Sequence, residues 1–294
     1  MIRYEEPVFR PPSEADSLIL QATIGCSHDG CAFCFTYRTK RFRARRREEL
    51  LSEIDWAGKA LGDSVRKVFL ADGDAMALST ARLLEILERL ERAFPSLRRV
   101  SAYAHPKNLE GKTVAELAAL RAAGLKQIYL GFESGDDEVL ARIGKGATHD
   151  EMVELCAKAT AAEIKLSVTL VLGLGGPRLS ARHAAESARL VSEVRPRFAS
   201  ALTLILEPGT NNYAERFGDP EWRLLEPLEF LAELRGLVAG IDAHGTIFRA
   251  NHASNYLAVA GSFNKDKDRM LADIDAVLDA GPGVRLKPEF MRGL

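Results

Sequence analysis

Three cysteines fall within nine positions in the stretch Gly25-Cys26-Ser27-His28-Asp29-Gly30-Cys31-Ala32-Phe33-Cys34. Three thiolates on one short loop are enough to bind one metal centre and still leave one coordination position without a protein ligand. In an iron–sulfur cube that leaves one iron open to a small molecule. Glycines at 25 and 30 suit a tight wrap in which backbone N–H groups reach the sulfides. A structural zinc site with His28 as fourth ligand is the rival reading. Zinc sites usually draw their ligands as two pairs from separate segments, and no second Cys or His pair stands nearby.

A loop of this kind needs elements to hold it. Apolar or β-branched runs occur at Leu18–Thr23, Lys67–Leu70, Arg99–Tyr103, Gln127–Leu130, Lys165–Leu172 and Ala199–Leu206. Between them, helices are expected at Glu48–Leu61, Thr80–Phe94, Val114–Ala123, His149–Ala162 and Ser180–Val194. Apolar residues recur there at three and four positions, as in Leu83, Leu84, Leu87 and Leu90. The strand starts repeat about every 30 to 35 residues, the length of one βα unit. Six such units imply an α/β protein with a parallel sheet, either a barrel or an open doubly wound sheet. After Leu206 the pattern changes to a loop at Glu207-Pro208-Gly209-Thr210. A helix near Pro227–Ala239, a short strand at Thr246–Ala250 and a helix near Lys265–Leu278 follow.

The chain has 294 residues, 47% of them hydrophobic, and a formal net charge of −1, so it holds ample material for a sizeable core. Its balanced charge leaves a nucleic-acid site only to a local basic patch. The densest basic run is Lys40, Arg41, Arg43, Arg45, Arg46 and Arg47, with Glu48 and Glu49 directly after it. Met1–Pro12 lacks the pattern of a signal peptide, and no apolar stretch is long enough to span a bilayer. A cytoplasmic location with reduced thiols is therefore expected, which favours metal ligation over disulfides.

Ligand sites in parallel βα folds form at the carboxyl ends of strands. Unusual residues do follow the runs: Asp72-Gly73-Asp74 after the second, Gly131-Phe132-Glu133-Ser134-Gly135 after the fourth, and Gly173-Leu174-Gly175-Gly176-Pro177 after the fifth. No phosphate-loop lysine follows the last of these, which excludes a nucleoside-triphosphate loop. Downstream, Arg249-Ala250-Asn251-His252-Ala253-Ser254-Asn255-Tyr256 concentrates polar groups after an apolar run. His183 reads as local structure, and Cys156 as a core residue of an amphipathic helix.

The cysteine loop, with Phe33 directly before its last cysteine, resembles that of radical S-adenosylmethionine enzymes. The spacing here is CxxxxCxxC where the usual form is CxxxCxxC; a glycine-containing loop can absorb the extra residue. The resemblance runs from about residue 18 to 260 and includes the GxESG segment with Val139, Leu140, Lys145 and Gly146. It implies a partial (β/α)6 TIM-type barrel with a C-terminal extension. The core would be residues 1–210, with cluster loop 25–35, and residues 211–294 would be an extension packed on the same domain. It further implies a [4Fe–4S] cluster on Cys26, Cys31 and Cys34 together with S-adenosylmethionine. Gly73 and Asp74 would receive the methionine ammonium, and Glu133 and Ser134 would lie near the ribose and methionine. Gly173 and Gly175 would let backbone approach the adenine, and Phe33 would be a further cofactor contact. Asn251, His252 and Asn255 are expected in a substrate pocket.

The expected activity is reductive cleavage to a 5′-deoxyadenosyl radical that takes hydrogen from a small-molecule substrate, with a reductant such as flavodoxin or ferredoxin. The absence of a second cysteine cluster counts against methylthiolation. A non-catalytic haem or cofactor carrier, an RNA-modifying enzyme, and transfer of another fragment of S-adenosylmethionine are the alternatives.

Overall fold

The computed structural model describes residues 1–206, 213–284 and 286–293. The chain is α/β with a mostly parallel eight-stranded sheet and divides into two compact units that interleave along the sequence. The first contains residues 1–29, 34–130 and 155–166, and the second residues 30–33, 131–154 and 167–294.

In the first unit, β1 (Leu18–Gln21) is followed by β2 (Thr23–Ile24) and β3 (Arg43–Ala44), then by α1 (Arg47–Leu61), β4 (Lys67–Ala71), α2 (Thr80–Ala93), β5 (Arg99–Ala104), α3 (Val114–Ala122) and β6 (Leu125–Glu133). Strands β1, β4, β5 and the first-unit part of β6 pair in parallel, in that order. Val68, Phe69, Leu70 and Ala71 are all buried, as expected of a parallel strand covered on both faces. Helix α2 buries Leu83, Ile86, Leu87 and Leu90, and the Ser79 hydroxyl caps it by accepting from the Arg82 N–H at 3.3 Å. Thr113 and Glu116 form a reciprocal capping box that starts α3. Strands β2 and β3 pair antiparallel, Thr23 with Ala44 and Ile24 with Arg43. The segment that carries the cysteines leaves from this short ladder and returns to it.

The second unit holds the end of β6, α4 (Asp137–Arg142), the start of α5 (His149–Ala161), most of β7 (Lys165–Leu172), and α6 (Gly176–Val194). After β8 (Phe198–Thr203) come α7 (Tyr213–Phe217), α8 (Pro227–Gly240), β9 (Ile247–Ala250), β10 (Val259–Ser262) and α9 (Lys267–Ala280). β7, β8 and β9 are parallel neighbours, and β10 closes antiparallel on β9. Helix α8 packs on both α6 and α9.

Several elements differ from the sequence expectation. The first apolar run breaks at Ala22 into β1 and β2. Helix α6 begins at Gly176, not Ser180, because Pro177 is tolerated in a first helical turn, where its missing N–H is not needed. Helix α4 and strand β10 were not foreseen: the first is only six residues long, and Val-Ala-Gly-Ser lacks the large alternating side chains that mark a strand. The expected loop Glu207–Thr210 lies outside the described residues.

Candidate active site

The cysteine loop starts from a buried ion pair. Asp72, at the end of β4, is fully buried and accepts from Lys40 Nζ at 2.9 Å, the Gly25 N–H at 2.8 Å and Gln21 Nε2 at 2.9 Å. A desolvated carboxylate with three donors is satisfied, and it pins the backbone one residue before Cys26. Cys26 and Cys34 are half-buried in the first unit, while Cys31 is buried in the second. Cys26 Sγ donates to the carbonyl of His28 at 3.2 Å, and the His28 ring stacks on His105 at 4.6 Å.

Next to this lie Gly73 and Asp74. A Cβ on Gly73 would come within 2.9 Å of both the Cys26 Cβ and the Tyr37 ring, so only glycine lets the β4 turn pass this close to the cysteine loop. Asp74 is fully buried. Its carboxylate accepts from Ser27 Oγ, from the His105 N–H at 3.3 Å and from Asn108 Nδ2 at 3.2 Å. The acceptor expected to face an ammonium is therefore largely occupied by protein donors. Tyr37 packs edge-on against Phe9, and its buried hydroxyl has no hydrogen-bond partner among the described residues. Burial pushes its phenol pKa up, and Tyr103, Asp72, Cys26 and Cys34 push it further the same way.

In the second unit, β6 ends on Glu133, a non-glycine residue with φ of 64°. That left-handed geometry costs energy, and such residues cluster at functional sites. The turn folds the Glu133 carboxylate over Gly131, where a Cβ would meet its Oε1 at 2.0 Å, and Oε1 accepts from the buried Lys145 ammonium at 3.2 Å. Ser134 is fully buried. Its hydroxyl accepts from the Asp136 N–H at 2.9 Å and lies 2.8 Å from His183 Nδ1. His183 Nε2 in turn reaches the Val171 carbonyl at 3.1 Å and lies 3.5 Å from Glu233 Oε1. With Nε2–H as the donor, Nδ1 accepts the Ser134 proton, and every group in the chain is used. Glu233 accepts the Gly173 N–H at 2.6 Å and Ser180 Oγ at 2.5 Å. Burial raises the Glu233 pKa, while His183, Ser180 and Gly173 oppose the rise.

Gly173 and the polar loop after β9 both make structural contacts of their own. The chain's own Phe230 packs on Gly173: a Cβ there, where φ is 88°, would sit 2.3 Å from Phe230 Cε1, and a Cβ at Gly175 would sit 2.8 Å from the Leu179 Cβ. The polar loop after β9 also serves the sheet. Asn255 is buried, accepting from Thr203 Oγ1 at 2.8 Å and donating to the Ala201 carbonyl at 2.9 Å. Asn251 is exposed, and His252 is half-buried with Nδ1 accepting from the Ser254 N–H at 3.2 Å. Phe33 is half-buried in the second unit.

The donors suit an iron–sulfur cluster. Three thiols lie on one irregular loop, and glycine at 73 lets the neighbouring strand end come up against Cys26. Among the described residues no three Cys, His, Asp or Glu side chains are already gathered tightly enough for a metal ion. Ligand loops of this kind close as the metal binds. Sequence reasoning missed Tyr37, His105, Asn108 and Glu233, and it read His183 as local. Only a histidine one helical turn past Ser180 hinted at the last network.

Residues 20–191, more than half of the chain, match the family model of the Radical SAM superfamily. The chain belongs to that superfamily. A [4Fe–4S] cluster and S-adenosylmethionine are the cofactors its enzymes use. Among curated proteins it is 25% identical over 203 residues to the heme chaperone HemW of Bacillus subtilis (strain 168), covering 67% of this chain and 51% of that protein. It is 28% identical over 220 residues to the tRNA-2-methylthio-N(6)-dimethylallyladenosine synthase of Geobacter metallireducens (strain ATCC 53774 / DSM 7210 / GS-15), covering 72% of this chain and 48% of that one. The chain thus spans about half the length of these relatives. In fold it is similar to coproporphyrinogen III oxidase from Escherichia coli, with a TM-score of 0.56, 18% identity and coverage of 76% and 51% of the two chains. The α/β fold with its mostly parallel sheet is that of the partial TIM-type barrels of this superfamily.

Proposed function

We propose that Cys26, Cys31 and Cys34 hold the [4Fe–4S] cluster of a radical S-adenosylmethionine enzyme that acts on a small-molecule substrate. The observation that carries this reading is the family match across residues 20–191, which contains all three cysteines and the strand-end motifs behind them. When bound, the reduced cluster supplies the electron that splits S-adenosylmethionine into methionine and a 5′-deoxyadenosyl radical.

The chain's own residues bind and orient. Gly73 brings the end of β4 up against Cys26, so that its backbone faces the methionine portion. Asp74, tied to His105 and Asn108, shapes the β4 end so that backbone carbonyls there receive the ammonium. Glu133 accepts from ribose hydroxyls, with Lys145 holding its carboxylate in place. Ser134 offers a remaining lone pair, and the backbone at Gly173 and Gly175, with Phe33, borders the adenine. The partial-barrel core is assigned to residues 1–210 and the extension to 211–294. Asn251 and His252 remain candidates for the substrate side, whereas Asn255 supports the loop.

The small-molecule reading rests on the basic run. The side chains of Lys40 and Arg45 are largely buried against Asp72 and Glu53, and Arg43, Arg46 and Arg47 each face a carboxylate of the same unit, so the run is charge-balanced rather than a bare basic patch. Similarity to the heme chaperone favours one second reading, a haem carrier without turnover.

The test is anaerobic reconstitution, reduction with dithionite or flavodoxin, and addition of S-adenosylmethionine. Formation of 5′-deoxyadenosine, lost together with the brown colour in Cys31→Ala, supports the enzyme. Cluster-loaded protein that binds haem and makes no 5′-deoxyadenosine, even with cell extract present, supports the carrier. Methylthioadenosine as product would show that another fragment is transferred.

A further inference from the structure

Tyr37 stands three residues after Cys34, on the return path of the cysteine loop to β3. Its ring is fixed by three neighbours in the first unit. Phe9 meets it edge-on with centroids 5.9 Å apart, Lys40 Nζ lies 5.4 Å from its centroid, and the absent Cβ of Gly73 leaves the gap into which both it and Cys26 project. The hydroxyl is buried and bonds to nothing among the described residues, although burying a hydroxyl without a partner is costly and natural proteins avoid it. Its cationic neighbour Lys40 is not available to it, being committed to Asp72 and to the Pro7 carbonyl at 2.6 Å. Tyr103, Asp72, Cys26 and Cys34 all act electrostatically on the phenol, and the Tyr37 ring and the Cys26 Cβ abut the same point over Gly73.

We propose that the Tyr37 hydroxyl donates a hydrogen bond to the sulfur of Cys26 or Cys34 once the cluster is bound, and so sets the cluster's reduction potential. The inference rests on the cluster assignment above. A donor aimed at a ligating thiolate withdraws negative charge from the cluster and favours the reduced, more negative state; losing it makes reduction harder. Tyr37 is in this view a cluster contact, its buried hydroxyl kept for a ligand sulfur.

The experiment measures the midpoint potential of the reconstituted cluster by spectroelectrochemistry, without S-adenosylmethionine, in the wild type, in Tyr37→Phe, and with 3-fluorotyrosine placed at 37. Iron and sulfide content is determined in each. Unchanged cluster content with a shift to more negative potential in Tyr37→Phe, and to more positive potential with the stronger fluorinated donor, supports the proposal. Potentials equal across the three proteins overturn it, as does a shift seen only after S-adenosylmethionine is added, which would place the bond on the methionine carboxylate. If Tyr37→Phe does not fold, the fluorinated protein alone decides by the sign of its shift. Wild-type protein that assembles no cluster would overturn the cluster assignment itself, a separate outcome.

Discussion

Ser134 Oγ lies 2.8 Å from Nδ1 of His183, which ties the turn after β6 to helix α6 inside the second unit. Both side chains are almost wholly buried, and His183 carries the link on towards Glu233 and the Gly173 N–H. The network thereby joins two strand ends proposed for the cofactor through one histidine on a helix.

Replacing His183 with alanine should remove the acceptor for Ser134 and the donor to Val171 together. Each buried group left without a partner costs about 1–3 kcal/mol, so a loss of ~2–6 kcal/mol in urea unfolding is expected. Ser134→Ala should cost less in the His183→Ala background than alone, because the two act as one unit. Equal costs in both backgrounds would show that the pair is not coupled.

Lys40 and Asp72 form an ion pair whose side chains are 2% and 0% exposed. Removing one partner from a buried pair leaves an uncompensated charge, at about 3–5 kcal/mol. Lys40→Met should therefore destabilise strongly. Arg43→Met should do little, because the Arg43–Glu5 pair is about half exposed and such pairs contribute ~0–1 kcal/mol. Comparable losses in the two variants would contradict this ranking.

His252 gives the stability a pH dependence of known sign. Burial, and then the charge of Lys287, lower its pKa from the ordinary 6.5, and its Nδ1 must stay unprotonated to accept the Ser254 N–H. The unfolded chain then binds more protons than the folded one as pH falls below 6.5. The stabilisation is complete above that value and is lost as pH drops through the lower folded value. Thermal unfolding followed from pH 7.5 to 5 should fall less steeply in His252→Asn than in the wild type.

Cys156 is buried in α5, and burial pushes its thiol up to about 12. Thiolate is the reactive form, so the native protein should leave Cys156 unmodified by iodoacetamide at pH 8. Half-buried Cys26 and Cys34 should be alkylated in the metal-free protein and protected after cluster reconstitution. Mass spectrometry of the labelled peptides checks both statements.

The superfamily and the alternation of β and α elements were legible in the sequence, because both are written in local spacing. Thiol spacing on one loop, apolar recurrence at three and four, and glycines at strand ends need no distant partner to be recognised. Short elements escaped for the same reason: β10 and α4 carry too few residues for a period to show. Tertiary structure alone decided where the polar atoms are spent. Asp74 bonds to residues 31 to 47 positions away, Ser134 to one 49 away, and Asn255 to strand residues more than 50 away. No spacing rule links such pairs, since they meet only when strands order themselves in the sheet and desolvation forces each buried polar group to find whichever partner the fold brings near.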